Sequence, residues 1–449
     1  MQTENQQNNK LDRPITSGFL LKFSAPTIIS MILMSFFGII DGVFASRLIG
    51  PISLSAVGIV FPMLTFIMSI GFMLGVGGNA LVAKQIGEED IEGAKKNFNL
   101  IIILSFSSAV ALSILGVVFT RPILYLLGAN QYILEMAIDY ATPLFYTIPF
   151  IMMGVIFNQF LMTEGKAHFS TIGTAVGGVL NVILNYVFIY TLQMGLTGAA
   201  LATSAGYAVP TLIGLFYFAT NKKGHLRFGK TNWHKKSVVQ SVTNGASEMV
   251  TMLSVAIVSA YMNNIAVNLG GEIAVASLTI AFALMNITGS LFMGFSAGIG
   301  PIISYNYGKN DEEALQKLFK KSLYIVGFIS IISFGLGFVL ARPLTRIYVE
   351  PDNIVYYTTI YGFRLLIAGF IFMGFNTFSS MFFTALNNGK ISAILSFCRT
   401  LVFSIISMTI LPIFIGMDGV WLALPVAEAM AIVLTIYIFN RYKTTYKYA

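Results

Sequence analysis

The chain has 449 residues, of which 56% are hydrophobic and 10% charged, against about 25% charged in soluble domains. A mean hydropathy of +0.78 excludes a soluble globular fold, which would have to expose large apolar patches. The net charge is +8, and Cys398 is the single cysteine, so an intramolecular disulfide and a cysteine-based zinc site are excluded. An integral membrane protein is what remains.

Apolar runs long enough to cross a hydrocarbon core of about 30 Å fall near 19–46, 53–82, 98–119, 132–161, 169–192, 196–219, 239–267, 274–303, 322–340, 354–385, 391–414 and 419–440. They predict an all-α integral membrane protein of twelve transmembrane helices, several long enough to tilt or kink. The polar start MQTENQQNNKLDR leads into an apolar segment too long for the core of a signal peptide, so no cleaved leader is expected. With the N-terminus inside, the cytoplasmic segments hold 21 of the 27 Lys and Arg. Among them are Lys84, Lys95, Lys96, Lys222, Lys223, Arg227, Lys230, Lys235, Lys236, Lys309, Lys317, Lys320 and Lys321. Arg47, Arg121, Arg342 and Arg346 fall outside, while Arg364 and Arg399 lie within spans. That asymmetry places both termini in the cytoplasm. It accounts for the positive charge without nucleic-acid binding.

Residues 224–231 read GHLRFGKT, a match to the phosphate-cradling G-x-x-x-x-G-K-[ST] loop. That loop works only between a buried strand and a helix, where backbone N–H groups converge on phosphates. Here no strand precedes it and a membrane helix follows. A match of this kind arises by chance on the order of twice per hundred chains of this length. No nucleotide partner is expected.

Shifting the chain by 221 residues aligns its halves. Gly50 meets Gly271, Phe61 meets Phe282, Ser69 meets Ser290 and Gly77 meets Gly298. GEEDIEGAKKNF (87–98) meets GKNDEEALQKLF (308–319), Arg121-Pro122 meets Arg342-Pro343, and MGLTGAALA (194–202) meets IGMDGVWLA (415–423). Six helices per copy is an even number, so both copies enter the bilayer from the same side, related by an axis along the membrane normal. The expected domains are a six-helix bundle over 1–219, a cytoplasmic linker over 220–238 and a second bundle over 239–449. Such a frame suits alternating access, with one bundle rocking against the other.

Twelve helices, a parallel repeat, SAPTIIS…IIDGVFASRLIG in the first helix, a glycine-rich second helix ending in QIG and the NYGKND loop together resemble the multidrug and toxic compound extrusion (MATE) family. The resemblance covers residues 15–440 and is closest to bacterial branches with an acid in the first helix. It implies a V-shaped pair of bundles in the bacterial cytoplasmic membrane that exports amphipathic, often cationic drugs in exchange for H⁺ or Na⁺. It implies no cofactor, no nucleic acid and a monomer.

Charged and polar residues within spans face a cavity or a partner, so each is a functional candidate. Asp41 in the first helix suits a coupling site, since protonation and Na⁺ binding compete for one carboxylate; the alternative is a residue at the membrane boundary. Asn181 and Asn185 are four residues apart and share a helix face, and Thr203 lies in the sixth helix. Their oxygens beside a carboxylate suit a hard cation. By the resemblance, Asp41, Asn181 and Thr203 occupy the family's first-bundle cation site, and Asn185 is neutral where some members carry Asp. Tyr140 and Asn158 match further polar positions around it, with helix–helix hydrogen bonding the alternative role. Pro26 should kink the first helix, which in the resembled family bends between states. The second bundle offers Glu248, Arg364, Arg399 and Glu428, with Glu248 expected to pair with Arg399 as a structural bridge. The histidines His168, His225 and His234 all fall in cytoplasmic loops, which excludes a histidine proton relay.

Two other classes compete. A flippase of lipid-linked sugars would place several cations in its cleft to meet pyrophosphate, and only Arg364 and Arg399 lie within spans. An intramembrane enzyme would need a metal cluster or a nucleophile–base pair, and the spans hold neither.

Overall fold

A backbone inside hydrocarbon must satisfy its own N–H and C=O groups, which forces runs of this length into helices. The computed structural model describes residues 13–449, apart from 45–47, 50, 128, 130, 132, 222, 223 and 347. At 37–39, 41–43, 51, 52, 54, 55 and 272 only the helical backbone is described. Asp41, Arg47, Gly50, Lys222 and Lys223, named above, are therefore outside the described side chains.

The first six membrane helices are α1 (Ser17–Phe44), α2 (Pro51–Gly87), α3 (Ile91–Val118), α4 (Leu134–Thr163), α5 (Ala167–Thr191) and α6 (Gly195–Thr220), with a short helix at Thr120–Leu126 between α3 and α4. The second six are α7 (Lys235–Gly271), α8 (Ile273–Gly308), α9 (Glu312–Arg346), α10 (Ile354–Ala385), α11 (389–414) and α12 (417–446). Positive φ at Gly271 separates α7 from α8, and positive φ at Gly416 separates α11 from α12. The 58 residues from Gly389 to Tyr446 would extend about 87 Å as one helix, far beyond a bilayer, so that break makes two crossings of them. Among the described residues there is no strand. The predicted loops 87–98 and 308–319 contract to tight turns because Asp90 caps α3 through Gly93 N–H (2.9 Å) and Asp311 caps α9 through Ala314 N–H (2.9 Å).

The repeat is written into the backbone as well as the sequence. Left-handed φ recurs at Glu89 and Asn310 and at Gly195 and Gly416, and the capping acids Asp90 and Asp311 are likewise 221 residues apart. Each bundle also closes its end in the same way. After α6, Phe228 folds back among Phe98, Phe157 and Phe218, with ring centroids 6.0, 6.3 and 6.3 Å away. After α12, Tyr448 packs on Phe319, Phe382 and Phe439 at 4.8, 5.1 and 6.0 Å. Phe98 and Phe319 are repeat mates, as are Phe218 and Phe439.

The bundles meet at the linker-bearing end through glycines that let backbones touch. A Cβ on Gly87 of α2 would lie 1.9 Å from Tyr305 O of α8, and one on Gly308 would lie 2.0 Å from Lys84 O. Tyr305 and Lys84 are themselves 221 residues apart, so the α2–α8 crossing is two-fold symmetric to within one residue. Higher up, a Cβ on Gly77 would lie 1.9 Å from Ser241 O and 2.6 Å from Gly245 N of α7, while one on Gly298 of α8 would lie 3.0 Å from Ser24 Cα of α1. Ser24 is the repeat mate of Gly245. Asn387 adds a polar tie across the bundles, donating to Ala80 O (3.1 Å) while accepting from Asn244 (2.7 Å).

Candidate functional site: a polar cluster inside the first bundle

Helices α5 and α6 run antiparallel and cross where a Cβ on Gly177 would lie 2.3 Å from Gly206 O. About one turn farther from the linker end, Asn181 and Thr203 stand on the two touching helices, both buried. Asn185 is fully buried and donates through its Nδ2 to Asn181 Oδ1 (3.2 Å). Directly after Asn185, α5 widens into π-helical turns over Tyr186–Thr191, a distortion frequent at functional sites. Tyr140 of α4 is buried about 9 Å from the end remote from the linker; Thr203 lies about 12 Å and Asn181 about 15 Å in. Ser204, beside Thr203, bonds Thr147 of α4 at 2.7 Å. Three helices thus bring carboxamide and hydroxyl oxygens to within about 10 Å of one another in depth. Asp41, three residues before the end of α1, is outside the described side chains, but its helix ends on the same side.

Asn158 does not belong to this level. It lies 18 residues along α4 from Tyr140, about 27 Å at the helical rise, and accepts from Ser170 of α5. With Gln159, Thr174 and Tyr207 it lines a cavity of about 20 Å³, room for roughly one water and not for a drug. Pro26 lies in α1, its carbonyl accepting from Ser30 (2.9 Å) and Thr171 (2.6 Å). Thr147, Ser204, Thr171 and Gln159 escaped the sequence reading because a single Ser, Thr or Gln in an apolar run reads equally well as filler.

The second bundle corrects one expectation. Arg399 pairs with Glu428, not with Glu248: Nη2 lies 2.8 Å from Oε1, and Nε donates to both carboxylate oxygens (2.9 and 3.0 Å). Asn376 donates to Glu428 Oε2 (2.7 Å) and accepts from Thr435 (2.9 Å). Helix α11 is π-helical over Cys398–Val402, the stretch that carries Arg399. Glu248 is buried in α7, and none of the ion pairs among the described residues includes it. Arg364 lies with its Cζ 4.4 Å from the Phe338 ring centre and its Nε buried without a hydrogen bond. The Arg399–Glu428 pair is nearly buried, with side chains 12% and 16% exposed. Removing one partner of such a pair costs about 3–5 kcal/mol, while replacing both by apolar residues is near neutral. Arg399→Met alone should therefore lower the melting temperature of the purified protein more than Arg399→Met with Glu428→Met; equal losses would mean the two charges do not support each other.

The GHLRFGKT stretch has a structural use. Leu226 is fully buried and its N–H donates to Glu164 Oε1 (2.8 Å). Gly229 N–H donates to Asn99 Oδ1 (3.0 Å), Asn99 donates back to Arg227 O (3.0 Å), and Thr231 donates to Lys96 O (2.6 Å). N–H groups that would cradle a phosphate are spent on the first bundle. Burial pushes the Glu164 carboxyl above the usual range; the nearby His225, the Leu226 N–H and the Tyr217 and Asn221 side chains pull it back. Residues 224–231 are therefore stapled to the first bundle rather than free between the two.

A duplicated set of twelve membrane helices, glycine-sealed at one end, with an oxygen-rich cluster buried in one bundle, defines a membrane transporter and not an enzyme. The MatE family profile matches twice, over residues 26–187 and 248–410, close to the 221-residue repeat, and the chain belongs to the MATE transporter family. The multidrug export protein MepA of Staphylococcus aureus (strain NCTC 8325 / PS 47) is 24% identical over 433 residues, covering 94% of this chain and 93% of that protein. Among solved structures, a MATE protein in the straight conformation superposes with a TM-score of 0.91 at 25% identity, over 98% of this chain and 99% of that one. A MATE protein in the bent conformation gives 0.87 at 25% identity, over 95% of each. The fold is accordingly two parallel-repeat six-helix bundles about a V-shaped cleft.

Proposed function

We propose that the chain exports amphipathic, often cationic drugs across a bacterial cytoplasmic membrane in exchange for H⁺ or Na⁺. The bundles comprise 1–219 and 239–449, the linker 220–238 and both termini lie in the cytoplasm, and the protein works as a monomer. The observation that carries the reading is the buried Asn181–Asn185 pair beside Thr203, at the depth of Tyr140 and on the side where the Asp41 helix ends. Two carboxamides and a hydroxyl supply neutral oxygens, and Asp41 supplies the charge that both H⁺ and Na⁺ require. The MepA relative's name, multidrug export protein, supports drugs as the exported class.

Exchange follows if an ion and a drug favour different states of the same two-state frame. The glycine crossings close the linker end, and the cleft opens away from it; in the alternate state that seal parts. The ion cluster lies inside the first bundle, so an ion acts on the drug through the shape of α1, where Pro26 removes a backbone hydrogen bond. Arg399–Glu428 holds the second bundle together and takes no part in coupling.

Uptake of a fluorescent cation by proteoliposomes, with ΔpH and a Na⁺ gradient imposed separately, tests the proposal. At least one gradient should drive accumulation several-fold above the no-gradient control, with no ATP added. Failure of both gradients, together with translocation of a lipid-linked sugar pyrophosphate, would replace the antiporter by a flippase.

A further inference from the structure

Helix α1 carries the coupling acid at one end and touches the second bundle at the other. Near Pro26 it is held from both sides. On the α8 side, a Cβ on Gly294 would lie 2.6 Å from Ile28 Cα, so the two backbones are in contact. On the first-bundle side, Thr27 donates to Met162 Sδ of α4 (3.0 Å), and Thr171 of α5 donates to the Pro26 carbonyl (2.6 Å). Ser30, one turn on, donates to the same carbonyl (2.9 Å) and lies 3.2 Å from the Thr171 hydroxyl. Pro26 lacks an N–H, so the helix at this point has lost a backbone bond and bends at little cost. A hydroxyl from another helix on its carbonyl therefore ties α1 to α5 at the turn where α1 is weakest.

Thr171 also stands in line with the ion cluster. Positions 171, 174, 178, 181 and 185 follow one face of α5 at helical spacing, so Thr171 is about 15 Å down that face from Asn181. We propose that Thr171 is a positioning residue for coupling: its bond to the Pro26 carbonyl holds α1 against α5 in the state sealed at the linker end, and releasing it lets α1 bend. Thr171 touches neither ion nor drug. It decides how far a change at Asp41 and Asn181 travels down the α1–α5 seam to the contact with α8. The proposal rests on the cation-coupled reading above.

The test measures the distance between spin labels at Phe36→Cys on α1 and Tyr190→Cys on α5, in a Cys398→Ser background reconstituted in lipid nanodiscs, with and without the coupling ion. Hydrogen bonds of this kind contribute about 0.5–1.5 kcal/mol, so Thr171→Val should change the ratio of the two distance populations by roughly 2- to 10-fold and slow drug uptake. Thr171→Ser, which keeps the hydroxyl, should restore both. Thr171→Ala, which lacks the hydroxyl without adding a methyl, must agree with Thr171→Val. Populations and uptake in Thr171→Val and Thr171→Ala equal to the wild type's, while the wild type responds to the ion, would overturn the latch alone. A wild type whose distances ignore the ion and which shows no gradient-driven uptake would overturn the coupling reading and the latch with it.

Discussion

Asp41→Asn is expected to abolish gradient-driven export while leaving the protein folded and inserted. A carboxylate about 4 Å from a monovalent cation contributes roughly 4 kcal/mol at an effective dielectric constant of 20. Its loss lowers ion affinity by about 100-fold or more, allowing for water reaching the site. Asn preserves size and one oxygen, so packing should survive and the melting temperature should stay close to the wild type's. Asn181→Ala and Thr203→Ala each remove one neutral ligand and should weaken coupling by about 2- to 10-fold. The measurement is uptake under an imposed ΔpH or Na⁺ gradient, beside binding of the drug without a gradient. Normal export by Asp41→Asn, with loss in Glu248→Gln instead, would transfer the coupling site to the buried acid of α7.

The second large effect is expected at the seal. A Cβ on Gly87 meets the Tyr305 carbonyl, and one on Gly308 meets the Lys84 carbonyl; both obstacles are backbone, which cannot swing aside as a side chain can. Overpacking of a tight contact costs about 1–3 kcal/mol, a shift of roughly 5- to 150-fold in the balance between closed and open states. Gly87→Val should therefore hold the linker end open and stop turnover. Because the crossing is two-fold symmetric, Gly308→Val should do the same to a similar degree. A cysteine at Ala297, buried among Met31, Phe72, Val76 and Met381 where the bundles meet, reports the change through its labelling from the linker side. Full transport by either glycine variant, with Ala297→Cys still protected, would show that this crossing is not the gate.

Much of the fold was legible in the amino-acid order because the bilayer leaves so few choices. A run near twenty apolar residues has to become a helix, and most helices begin and end within a few residues of the predicted spans; α2, α3, α8 and α9 run on to the turns capped by Asp90 and Asp311, and α9 and α12 each extend six residues past their predicted ends. The 221-residue offset was readable too, since a duplicated frame preserves the glycines, capping acids and aromatic plugs that each copy needs. The GHLRFGKT stretch could be dismissed on context alone; the tertiary structure added that Glu164 and Asn99 consume its N–H groups.

Pairings across helices were not legible in the same way. Arg399 had two acids on other helices to choose from, and the sequence reading favoured Glu248; in the structure it pairs with Glu428 from within a π-helical stretch of α11, and helix spacing alone does not say which acid a side chain faces. Asn158 and Tyr140 share a helix and a polar character, yet they end up about 27 Å apart in depth, Tyr140 near the buried Asn181–Thr203 cluster and Asn158 beside a water-sized cavity. Thr171 reads as an ordinary helix threonine until α1 is laid against α5 and its hydroxyl falls on the carbonyl of Pro26. Composition, span length and repeat are properties of segments, and the bilayer reads them one segment at a time. Which polar atom meets which depends on helix rotation and crossing depth, and those were decided only when glycines such as Gly177 and Gly206 allowed two particular backbones to touch.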